Sequence, residues 1–203
     1  MSADTAQAMR PSGLVGRLFG AVMERMNAHT YRWTLNHLRP TNPQSLYEIG
    51  FGTGRLLELA ARSLHVRRLY GVDPSDLMVE TAATRLRKFE RKIDIDLRAA
   101  DDSASFWPDQ TFDAIVALHS FQFWPVPAKT LAALRRQLSP SGTLTIVLRR
   151  HGRRPPQWLP NPISRSSDEI AGTISALKEA GFLVVVSASI DKASHGIVAK
   201  PAA

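Results

Sequence analysis

The stretch Ser45-Leu46-Tyr47-Glu48-Ile49-Gly50-Phe51-Gly52-Thr53-Gly54-Arg55-Leu56-Leu57 decides the fold. It begins apolar and extended, passes through an acid, turns on three glycines at alternate positions and enters a helical run to Ala61. A strand, a tight glycine turn and a helix N-terminus in that order form a nucleotide-type binding site. Glycines let the backbone bend sharply and let a ligand approach, because no Cβ intervenes. The helix start offers free N–H groups and the positive end of its dipole to a carboxylate or phosphate.

Two details separate the possible ligands. Arg55 stands where the dinucleotide fingerprint G-x-G-x-x-G requires its third glycine. Glu48 stands two residues before the first glycine, where a carboxylate would serve a diphosphate poorly and an ammonium group well. Glu48-x-Gly50-x-Gly52-x-Gly54 resembles the first motif of the class I S-adenosylmethionine (SAM)-dependent methyltransferases. The resemblance implies a cofactor site at Glu48, Gly50, Phe51, Gly52 and Gly54, with S-adenosylhomocysteine as the product. A glycine-rich turn without a ligand is the plain alternative.

Downstream, Arg68-Leu69-Tyr70-Gly71-Val72-Asp73 reads as a second strand, with Asp73 19 residues beyond Gly54. An acid there can accept two hydrogen bonds from a ribose diol, as in nucleotide folds generally; a helix-capping acid is the alternative. Gly71-Val72-Asp73-x-Ser75 resembles the second methyltransferase motif, which also places Pro74 and Met78 at the cofactor. Ser75 or Asp76 is expected to cap a helix running to about Phe89. Ile93, Ile95 and Leu97 alternate with Asp94, Asp96 and Arg98, the pattern of a half-exposed edge strand. It leads into Ala100-Asp101-Asp102, where the family's acid reaches the adenine amino group; Asp101 matches better than Asp102, and Ala100 flanks the ring. A turn acid competes with that reading.

The segment Trp107-Pro108-Asp109 to Phe112-Asp113 feeds an apolar run, Ala114 to Leu118, which is expected to be a central strand because it is apolar on both faces. Open α/β sheets bind ligands at the carboxyl ends of their strands, so Leu118, His119 and Ser120 should meet the crevice. Phe121, Phe123 and Trp124 follow, an aromatic cluster suited to a planar or apolar group, with loop packing as the alternative. Pro127 to Leu138 reads as a helix, Ser139 to Gly142 as a turn and Thr143 to Leu148 as a fifth strand. Residues 149–166 hold four prolines and a basic run, and predict an irregular segment: a substrate cover with Trp158 as its largest apolar group, or an inert connector. Ser166-x-x-Glu169 is a capping box for a helix from Ile170 to Ala180. Phe182 to Ile190 and Gly196 to Lys200 predict a closing hairpin.

Upstream, residues 1–12 read as a disordered tail. Residues 13–40 read as a helical cap, with Leu14, Leu18, Val22 and Met26 on one face and a second helical piece from Thr30 to Leu38. Tyr31 lies in this cap and is expected to close over the site. The length of 203 residues, 44% hydrophobic and 22% charged, suits one α/β domain over 13–203. Without cysteine, disulfides and thiolate metal sites are excluded, and the six scattered histidines make no metal cluster. No span or signal-peptide pattern occurs, so a cytoplasmic protein is the default. The net charge of +8 permits an anionic partner, but aromatics do not interleave with the basic runs as single-strand binders require.

Periodicity alone predicts a doubly wound α/β sheet with a mixed edge. The resemblance, from Tyr47 to Ala199, implies a Rossmann-like seven-stranded sheet of order 3-2-1-4-5-7-6 with an antiparallel last strand. It also implies a small enzyme methylating a metabolite. The acceptor is expected to be apolar or aromatic, lying against Tyr31, Phe121, Trp124 and Trp158, with His119 as a base if a hydroxyl or amine is methylated; a pocket-wall or satisfied core histidine is the alternative and the stronger reading. The alternatives are an RNA methyltransferase using the basic surface and a non-catalytic SAM-binding partner protein. No metal or nucleic acid is expected, while peripheral contact with an anionic membrane stays open.

Overall fold

The computed structural model describes residues 23–100, 106–107, 109–151 and 164–202. Seven strands form one sheet of order β3-β2-β1-β4-β5-β7-β6. They are β1 Ser45–Ile49, β2 Arg68–Asp73, β3 Asp94–Ala99, β4 Phe112–Leu118, β5 Leu138–Arg149, β6 Phe182–Ser189 and β7 Ser194–Pro201. The strands from β3 through β5 are parallel, and β7 pairs antiparallel with both β5 and β6. The helices are α1 Ala28–Leu38, α2 Arg55–Ser63, α3 Asp76–Leu86, α4 Pro127–Gln137 and α5 Ser167–Glu179.

Side chains alternate across each strand, so the sheet has two apolar faces and a core on each. Tyr47 and Ile49 of β1, Ile115 and Ala117 of β4, and Leu144, Ile146 and Leu148 of β5 join Leu131 and Leu134 of α4 and Leu177 of α5 in one core. Leu46, Val116, Leu118 and Val147 face the other way and pack with α1, α2 and α3 through Leu35, Leu38, Leu57, Met78 and Leu86. The glycine turn lies at the carboxyl end of β1, on the α1–α3 face.

Local signals set the helix ends. Ser75 Oγ accepts from Met78 N at 3.4 Å and caps α3, while the side chain of Glu169 and the hydroxyl of Ser166 close the capping box of α5. Helix α3 gives way at Arg87 to a short 3-10 turn, Arg87–Phe89, rather than continuing to Phe89. The separate turn expected at 139–142 is absorbed into β5. Phe112 pairs with Leu138 but Ala114 with Thr143, so the intervening residues bulge inside one long strand.

Helix α1 is held to the sheet by Trp33, whose ring covers Gly196 of β7; any Cβ there would overlap it. The preceding residues 23–26 are helical as well. The expected tail 1–12 and first cap helix to Val22, Asp101 with Asp102, and the 152–163 part of the loop carrying Trp158 lie outside the described residues. Among the described residues no helix is long and apolar enough to cross a membrane.

Candidate active site

A cleft of about 790 Å³, part of it open solvent, lies at the carboxyl ends of β1, β2 and β4. Its floor is the glycine turn. Gly50, Gly52 and Gly54 have φ of +73°, +54° and +73°, the left-handed region that side chains resist. Space reinforces conformation at two of them. A Cβ on Gly50 would lie 2.5 Å from the Cβ of Ser120, and one on Gly54 2.7 Å from the Cβ of Ala82 in α3. At Gly52 a Cβ would meet nothing within 4 Å, so this residue faces the open cleft.

Asp73, at the end of β2, fastens the turn. Its Oδ2 accepts from Gly52 N at 2.8 Å and its Oδ1 from Ser75 N at 3.0 Å. Burial pushes its pKa up to about 6, although both backbone bonds pull the other way. Glu48 is only 2% exposed, and its Oε2 has no hydrogen-bond partner among the described residues. Burial first and the Asp73 charge second hold its pKa well above the usual carboxylate value. An unpaired carboxylate in a buried site is costly unless a cation meets it. The open face of Gly52 and the uncompensated acid beside it fit a ligand that brings an ammonium group against the turn.

The cover closes the cleft from the N-terminal side. Met23, Glu24, Asn27 and Tyr31 line it. Arg85 of α3 ties it down, with Nη2 2.8 Å from Glu24 Oε1 and Nη1 donating to Thr53 Oγ1 at 3.4 Å. The Tyr31 hydroxyl is held above its usual pKa by burial and then by Glu48 and Glu24.

His119 follows β4 with φ +55°, and its N–H donates to Val147 O at 2.8 Å. Both ring nitrogens are buried without a partner among the described residues. Burial, then the neighbouring Arg149 charge, push its pKa down to about 3. At that pKa the imidazole is neutral and weakly basic in the free protein, which fits a pocket-wall histidine better than a general base. What remains is a neutral hydrogen-bonding group on the cleft wall.

Tyr31, Glu48, Gly50, Phe51, Gly52, Asp73, Met78, Leu118 and His119 come together around the cleft. Gly54 packs under it on α3, and Pro74 and Ala100 do not line it. Phe121 and Trp124 also do not line it: they stack at 4.9 Å between ring centroids in the core on the opposite face of the sheet. The reason is the 3-10 turn Phe121–Phe123. With three residues per turn, positions 121 and 124 eclipse, and Phe123, pointing elsewhere, reaches the cleft. Ser120, expected at this strand end, and Thr53, inside the glycine turn, line it too, and Ser120 donates to Ile49 O; Glu24 and Asn27 line it as well, with no signal in the sequence pattern.

Comparison with known proteins agrees with this geometry. A family model described as a methyltransferase domain matches residues 47–146. An uncharacterized methyltransferase of Bacillus subtilis is 28% identical over 130 residues, 64% of this chain and 69% of that protein. A trans-aconitate 2-methyltransferase of Pseudomonas aeruginosa is 34% identical over 116 residues, 54% of this chain but 38% of the relative. The solved plantazolicin methyltransferase in complex with S-adenosylhomocysteine superposes with a TM-score of 0.75 over 98% of this chain and 94% of its own, at 16% identity.

Proposed function

The chain belongs to the class I SAM-dependent methyltransferases, and from that premise we propose that it methylates a small-molecule acceptor with an apolar or aromatic body. When bound, SAM supplies a sulfonium methyl group that is already activated, so orientation rather than acid–base chemistry supplies much of the rate. In this reading Glu48 holds the ammonium group and the Gly50–Gly54 turn lies against the carboxypropyl end. Asp73 fixes the turn and takes the ribose diol, while Met78 and Leu118 flank the nucleoside. Asp101 would take the adenine amino group. In this reading residues 13–203 are one methyltransferase domain.

The observation that carries the reading is the buried Glu48, which has no counter-charge among the described residues and stands beside an open glycine position. The aromatic preference for the acceptor rests on Tyr31, Phe123 and Met23, which line the cleft, with Trp158 as a further candidate. A small-molecule acceptor is also consistent with a relative named for trans-aconitate.

Calorimetry with S-adenosylhomocysteine tests the cofactor site. Binding is expected, with none by a nicotinamide dinucleotide; the reverse result would overturn the reading. The charge of +8 favours RNA as a second acceptor class. Filter binding of total RNA across a salt series separates the two, since each phosphate contact steepens the salt dependence. Micromolar binding at physiological salt with methyl incorporation into RNA would defeat the small-molecule reading.

A further inference from the structure

The basic run that begins at Arg149 divides in the folded protein. Arg150 bonds the hydroxyl of Ser189 at the exposed edge, and Arg165, across the loop, pairs with Glu169 at 2.9 Å. Arg149 turns the other way. It lies two residues beyond Val147, on the α1–α3 face that also carries Leu118. Its Nη2 donates to Asn27 Oδ1 at 3.4 Å, reaching the helical cover from 122 residues away in the chain. Its Nε is buried without a partner among the described residues. Asp191 acts on it electrostatically, but no ion pair closes between them among the described residues.

A guanidinium in this position is half desolvated and underused. Its planar fork is made for a carboxylate. Arg149 is not itself among the residues lining the cleft, but the two it reaches, Asn27 by hydrogen bond and His119 electrostatically, both line it, so the guanidinium stands directly behind that wall. The buried ring nitrogens of His119 add a hydrogen-bonding group with no partner of its own among the described residues.

We propose that this end of the cleft is a carboxylate site, and that the atom methylated is a carboxylate oxygen of the acceptor, held by Arg149 with Asn27 and His119 beside it. The inference rests on the methyltransferase reading and narrows it to apolar carboxylic acids. The chemistry balances without a base. A lone pair on the carboxylate oxygen forms the bond to the methyl carbon, the carbon–sulfur bond breaks, and its electron pair stays on sulfur. The carboxylate and sulfonium charges cancel, and no proton is released. A hydroxyl or amine acceptor would have to shed a proton, and the nearest imidazole has little affinity for one.

The test uses the full chain with methyl-labelled SAM. Benzoate, cinnamate and octanoate are offered beside their amides, and the label is scored as alkali-labile methanol. Labelling of acids and not of amides is expected. Arg149→Gln should raise KM for the acid about tenfold or more, the scale of one lost charge-assisted bidentate contact, with S-adenosylhomocysteine affinity unchanged. Arg149→Lys keeps the charge without the fork and should fall between; it carries the test if the glutamine variant does not fold. Labelling of amides alone, alkali-stable label, an unchanged KM in the variants, or no labelled acid in a protein that binds S-adenosylhomocysteine would each overturn the carboxylate site. Failure to bind S-adenosylhomocysteine would instead remove the cofactor reading beneath it.

Discussion

Two buried glutamates stand ten positions apart on either side of the glycine turn, and they have opposite fates. Glu58, in α2, is surrounded by cations: Arg55 at 2.8 Å, Lys88 at 2.8 Å, Arg62 at 2.9 Å and Arg85 at 3.7 Å. Burial raises its pKa, but the bonds from Lys88, Arg62 and Arg55 outweigh that and bring it down to about 2. Glu48, at the end of β1, has burial and the Asp73 charge both acting upward and, among the described residues, no cation to answer them. Both acids are removed from water, so burial alone does not separate them. The difference is whether the fold itself provides the counter-charge. Where it does, the acid is part of the scaffold; where it does not, the missing cation marks where a ligand belongs.

The sharpest way to break that contrast is at Asp73, which both fastens Gly52 and raises Glu48. Asp73→Ala is expected to weaken S-adenosylhomocysteine binding by about 2–4 kcal/mol, through lost hydrogen bonds to a carboxylate. Calorimetry on a variant shown to be folded by circular dichroism checks it, and an unchanged dissociation constant takes Asp73 out of the site. The pKa of Asp73 adds a pH signature. Raised to about 6 in the fold, the group favours the free folded protein below its unfolded value of about 4, and that advantage is lost as pH rises through 6. Hydrogen bonds from a ribose diol favour the ionised form, so S-adenosylhomocysteine affinity should climb between pH 5 and pH 7. A flat affinity profile across that range contradicts the assignment.

Glu58 should behave in the opposite sense. Its depressed pKa stabilises the fold above the unfolded value of about 4.5, and that contribution fades as pH falls toward 2. Glu58→Gln should therefore cost about 2–3 kcal/mol of stability at neutral pH, measured by urea denaturation, with ligand affinity kept. Most of the cost should vanish in the same measurement near pH 2.

Glu48→Gln is expected to do the reverse at smaller size. It should lower S-adenosylhomocysteine affinity by about 1–2 kcal/mol, the value of one charge-assisted contact. The melting temperature should hold or rise, because a buried uncompensated charge has been removed. A lower melting temperature with full affinity would make Glu48 a scaffold residue after all.

The smallest effect belongs to the link between the two regions. Arg85 touches Glu58, Glu24 and Thr53 together, so Arg85→Met should weaken both fold and ligand binding by no more than about 1 kcal/mol each, the scale of partly exposed ion pairs. An effect confined to stability would show that the Glu24 contact does not hold the cover on the cleft.

Much of this was legible in the chain because it is local. The strands around Glu48 and Asp73 declare themselves by apolar runs, the edge strand by strict alternation, and the caps at Ser75 and Ser166 by residues three apart. The signal at 139–142, Ser-Pro-Ser-Gly, looks the same whether it joins a helix to a strand or bulges a strand already begun, and here it does the second. Phe121 and Trp124 were placed at the cleft because a row of aromatics does not reveal its direction. One 3-10 turn sent them to the far core and left Phe123 in their place.

Sequence by itself therefore determined the backbone of the site: the three glycines that must turn with positive φ, the acid before them, and the acid ending the next strand. Those follow from constraints spanning a few residues, which propensity and spacing express directly. Tertiary structure alone decided which charges met partners. Glu58 drew Lys88 from 30 residues away, Glu24 drew Arg85 from 61, and Arg149 reached Asn27 across 122. Electrostatic balance in a buried site depends on distances in space, and no local pattern carries them.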